Sequence, residues 1–460
     1  MPLAVAERER RLLRRGMDNP SPVDALRRHA QPLQGGARDH DPLLRLVGDA
    51  RYVLLGEASH GTHEFYAERA AITRRLIEEL DFDAVAIEGD WPDTYRLNRF
   101  VRGDGDDRAA AAALTGYQRF PTWMWRNTDM VAFIDWLRAF NLQRSEDRRV
   151  GIYGLDLYSL RTSMAEVMDY LARTDPAAAE RARSRYACFD HFDGDTQRYS
   201  LLAGLDVTLS CRQQVLAMLV DMRRHTAKRS HDPYDVEAAF DALQNARLVN
   251  NAEAYYRSTV FRNDESSWNL RDRHMAETLG EIERHIGRDG HPPKLVVWAH
   301  NSHLGDARAT EMGQRRGELN LGQLVRQRHA DQCVLVGFTT HDGHVMAAND
   351  WDGPHERMAV VPARADSYER LMHATGMPKF MLPMRGAAAV QQVLMAPRRE
   401  RAIGVIYRPH TELHSHYFHA TLPRQFDALV HIDSSSAVVP LDEREEPALR
   451  EAAETYPTGL

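Results

Sequence analysis

Lysine, cysteine and long apolar runs are all scarce in this chain. Lys228, Lys294 and Lys379 are the only lysines among 59 Lys and Arg residues. With much Ala and Asp beside it, that arginine bias reads as the product of a GC-rich coding sequence. Cysteines number 3 in 460 residues. Cys188, Cys211 and Cys333 lie far apart and predict neither a disulfide framework nor a zinc-ribbon spacing. A reducing cytoplasm is therefore the expected compartment. No apolar run approaches the roughly 20 residues of a membrane span, so no membrane partner is expected. MPLAVAERERRLLRRG, at the start, lacks the apolar segment of a secretory signal. Positive charge is not in excess, since 66 Asp and Glu leave a net charge of −7. Nucleic acid needs a basic surface and is not an expected partner. There is no G-x-x-x-x-G-K-[ST] phosphate loop, and GDGDD (103–107) follows no strand, so both nucleotide-binding readings fail.

What is present is an ordinary globular composition, 43% apolar and 27% charged, long enough for a large core. Besides arginine, histidine is in excess, with 22 residues.

Short apolar runs punctuate the chain. RYVLLGE (from 51), DAVAIEGD, VGIYGLD (150–156), KLVVWAHNSH (294–303), CVLVGFTT (333–340), AIGVIY (402–407) and DALVHID (427–433) each read as a buried strand. Helical periodicity separates most of them, as in FYAERAAITRRLIEEL and MVAFIDWLRAFN. The pattern predicts an α/β fold: a mostly parallel, mixed sheet flanked by helices. From 159 to 290 no strand is visible, and the period is helical throughout. We expect a large helical cap inserted there, between the third and fourth of these runs. The expected layout is a helical lead-in (1–40), a first core part (41–158), the cap (159–290), a second core part (291–441) and a flexible tail (442–460).

Ligands of open α/β sheets bind beyond the carboxyl ends of the strands. The residues that follow the apolar runs are Glu57 and His60, then Glu88 and Asp90, then Asp156, then His300, Asn301 and His303, then Thr339, Thr340 and His341. Tyr407, Arg408, His431 and Asp433 follow the last two. Carboxylates beside neutral histidines suit general acid–base chemistry, because a carboxylate on one ring nitrogen raises the basicity of the other. Arg69, in the helix after Glu57, could reach back to an oxyanion or remain a solvated surface cation. Trp123, Arg126 and Asn127 in FPTWMWRNTD could form a substrate wall, or the tryptophans could be core. Arg271 and Asp272 in SWNLRDRHMAETL could enter the cleft, although a surface pair is the default for helix charges.

Two other chemistries stay open. GEASHG places Ser59 between glycines, but the spacing is G-x-x-S-x-G, one residue longer than a nucleophile elbow. His60/His63 and His300/His303 form H-x-x-H pairs near Glu57 and Glu88, which zinc or manganese accepts, though the pattern is weak without H-E-x-x-H. HSHYFH (414–419) is read as hydrogen bonding or packing. No metal or other cofactor is expected.

VLLGEASHGTHEFYAER, AIEGD about 30 residues on and WAHNSH far downstream resemble the erythromycin esterase family, in particular its broad branch also labelled succinoglycan biosynthesis proteins. LNLGQLVR, VGFTTHDG, NDWDGPHER and ELHSHYFHATLPRQFDALVHID extend the likeness from about residue 24 to 441. The resemblance implies hydrolysis of a small-molecule ester or lactone by an activated water, without a covalent intermediate. It implies His60 as the base, Glu57 as its orienting partner, Glu88 and His300 in the same set, and Arg69 as an active-site cation. Asp156, Trp123, Arg126, Asn127, Arg271, His303 and Thr340 are the expected substrate contacts. It also implies a helical lobe over the α/β core. The substrate and the oligomeric state are not implied.

Overall fold

The computed structural model describes residues 21–192, 196–229, 235–259, 266–287 and 292–442. The expectations for residues 1–20 and for the tail beyond 442 lie outside the described residues.

In chain order the strands are Gln31–Pro32 (β1), Tyr52–Leu55 (β2), Ala84–Asp90 (β3), Gly151–Asp156 (β4), Leu295–Trp298 (β5), Cys333–Ala348 (β6), His355–Val360 (β7), Lys379–Pro383 (β8), Arg398–Arg401 (β9), Tyr417–Ala420 (β10) and Ala428–Ser435 (β11). The main sheet runs β1-β8-β11-β6-β2-β5-β3-β4, with β7 on β6, and β9 and β10 form a separate ribbon. Six neighbours, β11 to β4 along that path, are parallel, whereas β1, β7 and β8 pair antiparallel. The fold is an α/β mixed sheet of mostly parallel strands with helices against it.

Alternation along each strand decides which helices cover which face. Val53, Leu55, Val85, Ile87, Val296 and Trp298 share a core with Phe65, Ile72 and Leu76 of α1 (His63–Leu80) and with Phe133 and Leu137 of α2 (Thr128–Asn141). Tyr52, Leu54, Ala84, Ala86, Leu295 and Val297 share another with Val167 and Tyr170 of α3 (Leu160–Thr174) and with Met275 and Leu279 of α4 (Ser267–Ile286). Each Val, Leu, Ile, Phe or Met among them stabilises by about 1.5–3 kcal/mol on full burial, so a one-residue slip, which exchanges the faces, is strongly disfavoured. The described residues between β4 and β5 contain helices and no strand, as their periodicity predicts. These helices join the sheet's own core rather than standing clear of it.

Several sequence expectations are corrected. AIGVIY is not a strand of the sheet. Ile403 and Ile406 make single bridges, to Ser59 and Ala348, and the segment crosses the strand ends. Ala402, Ile403 and Tyr407 are buried in small clusters apart from the main core, and Val405 packs partly buried against that core, a burial that apolarity alone cannot distinguish from a strand's. Its place in the sheet is taken by β8, whose KFMLP carries a proline at its end. The fifth run does not stop at Thr340, because β6 continues to Ala348 with Gly343 at φ +114° beside Ser435. Cys188 and Cys211 form a disulfide, their Cα atoms 5.8 Å apart. The helical fold closes the 23-residue separation that made them look unrelated, and the cysteine argument for a reducing compartment falls with it. No helix among the described residues is long and apolar enough to cross a membrane.

Candidate active site

β2, β5, β3 and β4 lie side by side, so their carboxyl ends deliver Glu57, His300, Glu88 and Asp156 to one rim. Glycines make the approach close. A Cβ on Gly56 would stand 2.1 Å from Asn301 Oδ1, and one on Gly61 would stand 1.9 Å from the Met346 carbonyl oxygen. Asn301 in turn ties the rim together. Its amide N–H donates to the Glu57 carbonyl at 2.8 Å, and its side chain donates to the Phe338 carbonyl at 2.7 Å.

Glu57 is fully buried and works on both sides. Oε1 lies 3.0 Å from His60 Nδ1, and Oε2 accepts from Arg69 Nη2 at 2.7 Å. A carboxylate at Nδ1 places the proton there and leaves the Nε2 lone pair free. His60 is 7% exposed, the most open of the group. Arg69 has no exposure, and its guanidinium stacks over the Tyr66 and Trp298 rings at 4.6 and 5.1 Å. Its Nε and Nη1 are buried without a partner among the described residues. The surface alternative for Arg69 is thereby removed.

The His300 ring lies 4.9 Å from that of His60. The Ser302 backbone N–H donates to His300 Nδ1 at 3.2 Å. A backbone N–H can only donate, so Nδ1 is the acceptor and the ring proton sits on Nε2. Burial, the nearby His60 and His303 push the His300 pKa down to about 3, which keeps the ring neutral. Nε2 is buried and makes no hydrogen bond of good geometry among the described residues, although the Ala58 backbone interacts with the ring. The two rings therefore present opposite characters, a free lone pair on His60 and a free N–H on His300.

Behind them stands a charged layer. Glu88 Oε2 accepts the His300 backbone N–H at 2.8 Å, and Oε1 accepts from Arg271 Nη2 at 2.7 Å. Burial opposes the Glu88 charge, but His303, Arg271 and His60 outweigh it and hold the carboxyl well below its usual range. Arg271 also grips Asp156 through Nε and Nη2, at 2.9 and 2.7 Å. His303 Nδ1 lies 3.0 Å from both oxygens of Asp272, and its Nε2 lies 3.3 Å from Glu88 Oε1. Burial works against a charge on His303, yet Asp272 and Glu88 raise its pKa to about 9. Arg271 and Asp272 are not the surface pair that helix charges usually make. Both reach the strand ends from α4.

The remaining expectations fare differently. Trp123 is core, and Asn127 caps α2 by accepting from Met130 N while donating to the Trp123 and Met124 carbonyls. Arg126 pairs with Asp442. Thr340 lies within β6, and its hydroxyl donates to the Asp342 carbonyl. None of these four joins the histidines. The Ser59 hydroxyl is paired with Thr62, which leaves the nucleophile reading without a base. His63 turns to Asp129, away from His60. Among the described residues no three His, Cys, Asp or Glu form a metal-ligand group. Asp272 was missed as a site residue, although it adjoins Arg271 in the sequence.

Comparison with known proteins gives the family and the fold. The family model described as erythromycin esterase matches residues 77–435. Glu88, Asp156, Arg271, His300 and His303 fall inside that match, and Glu57, His60 and Arg69 precede it. Erythromycin esterase type II of Escherichia coli is 24% identical over 320 residues, 67% of this chain and 73% of that one. A crystal structure of a succinoglycan biosynthesis protein superposes with a TM-score of 0.72 at 21% identity, covering 91% of this chain and 97% of that one. A crystal structure of a Bacillus cereus protein gives a TM-score of 0.75 at 20% identity, covering 92% and 98%. The chain belongs to the erythromycin esterase family.

Proposed function

We propose that the protein is a hydrolase that cleaves a carboxylic ester or lactone of a small-molecule metabolite with a water activated by His60. The observation that carries this reading is the pair of imidazoles 4.9 Å apart, one with a free lone pair and one with a free N–H. His60 Nε2 takes a proton from water as its oxygen bonds to the carbonyl carbon. The carbonyl oxygen becomes an oxyanion that accepts from His300 Nε2–H, with the unpartnered Arg69 N–H groups as further donors. Collapse breaks the C–O bond, and the departing alkoxide receives the proton from His60. Glu57 holds the His60 tautomer through both steps. No covalent intermediate forms on the protein.

This reading needs no metal. The Glu88 and Asp156 carboxylates that would attract a cation already share the Arg271 guanidinium. The reaction class does not name the substrate. A panel of p-nitrophenyl esters, simple lactones and macrolides would measure it. His60→Asn and Glu57→Gln should lower kcat by about 10²–10⁴-fold with an unchanged circular dichroism spectrum, the range for loss of a general base. Wild-type kcat in either folded variant defeats the mechanism. Activity that EDTA abolishes and a divalent cation restores defeats its metal-free form.

A further inference from the structure

α4 does more than supply Arg271. It holds His303 from two directions. Trp268, one turn before Asp272, stacks on the His303 ring with centroids 4.5 Å apart and planes 9° from parallel. Asp272 meets the ring edge, both oxygens 3.0 Å from Nδ1, and is itself fully buried. Its Oδ1 also accepts the Leu321 backbone N–H at 2.8 Å, which fixes the carboxylate. His303 Nε2 then faces Glu88 Oε1 at 3.3 Å and Arg271 Nη1 at 3.1 Å. The other oxygen of Glu88 receives the backbone N–H of His300. The contacts form one unbroken line from α4 to the ring that faces His60.

We infer that Asp272 is a positioning residue for this site, which sets the place of His300 through His303 and Glu88. The inference rests on the ester-hydrolase reading. Asp272 touches neither His60 nor His300 in any contact of the structure, so it acts only through the intermediates. With Asp272 in place, His303 lies flat on an indole between two carboxylates, which favour a cation, while Arg271 Nη1, 3.1 Å from Nε2, can only donate and opposes one. The charged groups facing His303 are Asp272 and Arg271 from α4 and Glu88 from β3, with Asp156 of β4 behind Arg271 and the His300 ring of the same loop nearby. Without the Asp272 charge, His303 loses the largest of its attractive partners. Its neutral Nε2 would then accept from Arg271 Nη1 and no longer donate toward Glu88 Oε1, which should loosen the hold on that carboxylate and, through it, on His300.

The test is Asp272→Asn in the full-length protein, read in two independent ways. NMR titration of isotope-labelled histidine should place the wild-type His303 midpoint near 9. In the variant it should fall by at least one pH unit. On whichever ester the wild type hydrolyses, kcat should fall about 10–100-fold with KM within about twofold, the size typical for removing the carboxylate partner of a functional histidine. His303→Gln should produce the same kcat loss, and the double variant should lose no more than either single one. If Asp272→Asn fails to fold, His303→Gln alone must show the loss in kcat without a change in KM, and an unchanged kcat there overturns the inference. An unmoved His303 midpoint, or losses that multiply in the double variant, overturns the inference. A wild type that hydrolyses no ester defeats the hydrolase reading instead, and leaves the NMR result standing on its own.

Discussion

Two groups of histidines stand at the sheet, and they differ in their carboxylates. His60, His300 and His303 each answer to a separate one: Glu57 at 3.0 Å, Glu88 at 2.8 Å through the backbone, and Asp272 at 3.0 Å. His373 and His431 share Asp433, at 2.8 and 3.4 Å, and His341 lies in the field of Asp342 as well as Asp433. His341 stacks on His373 at 3.8 Å. His341 and His431 follow apolar runs in the sequence as the first group does, whereas His373 ends a short helix, Tyr368–His373. The two groups part because β2, β3, β4 and β5 stop at the rim, whereas β6 runs on to Ala348 and β11 to Ser435. A strand that continues uses its polar residues for pairing and packing. A strand that stops leaves a loop free to turn a side chain toward its neighbours.

The comparison can be broken from the largest effect to the smallest. His300→Asn removes the neutral N–H donor and should lower kcat by about 10²–10³-fold with little change in KM, as for loss of one oxyanion donor. Steady-state kinetics on a responsive ester measures this, and an unaffected kcat would merge the two histidine groups into one.

Stability should respond to pH at two of the same residues with opposite signs. His300, depressed to about 3 from the ordinary 6.5, binds fewer protons folded than unfolded between those values. Stability therefore falls as pH drops from 6.5 toward 3. His303, raised to about 9, binds more protons folded. Its contribution is complete below pH 6.5 and is lost as pH rises through 9. Tm measured from pH 4 to 10 should peak near neutrality. In His303→Gln the alkaline decline should be shallower, and an unchanged slope would contradict the charge assigned to His303.

The smallest effect is expected from His373→Gln. It leaves the Glu57, Glu88 and Asp272 contacts intact and should change kcat less than about twofold, while the exposed His373–Asp433 pair contributes no more than about 1 kcal/mol to stability. A large loss of activity there would make the second group functional.

Much of the site was legible because strand ends are legible. RYVLLGE, DAVAIEGD, VGIYGLD and KLVVWAH each show where a buried strand stops, and the residue after the stop is the functional candidate. Arg69 was ambiguous in the sequence, since an arginine in a helix has no mark that separates a buried partner of Glu57 from a solvated cation. Arg271 and Asp272 are open between cleft and surface in the sequence for the same reason, and only Arg271 is among the expected substrate contacts. KFMLP and AIGVIY exchanged roles because apolarity measures burial and not hydrogen-bond pairing. Trp123 and Asn127 looked like a substrate wall because aromatic and amide residues serve a helix start equally well.

By itself the sequence determined the family, the α/β class, the helical character of the stretch between β4 and β5, and Glu57, His60, Glu88 and His300 as one set. The class and the helical stretches follow from local periodicity, and the family and the set of four follow from motifs whose likeness to the family can be read along the chain. Only the tertiary structure decided the strand order that puts β5 between β2 and β3, the tautomers of His60 and His300, the Cys188–Cys211 bond and the reach of Arg271 and Asp272 across to Glu88 and His303. Each of those depends on residues from separate elements meeting at hydrogen-bond distance, and linear spacing carries no record of such a meeting.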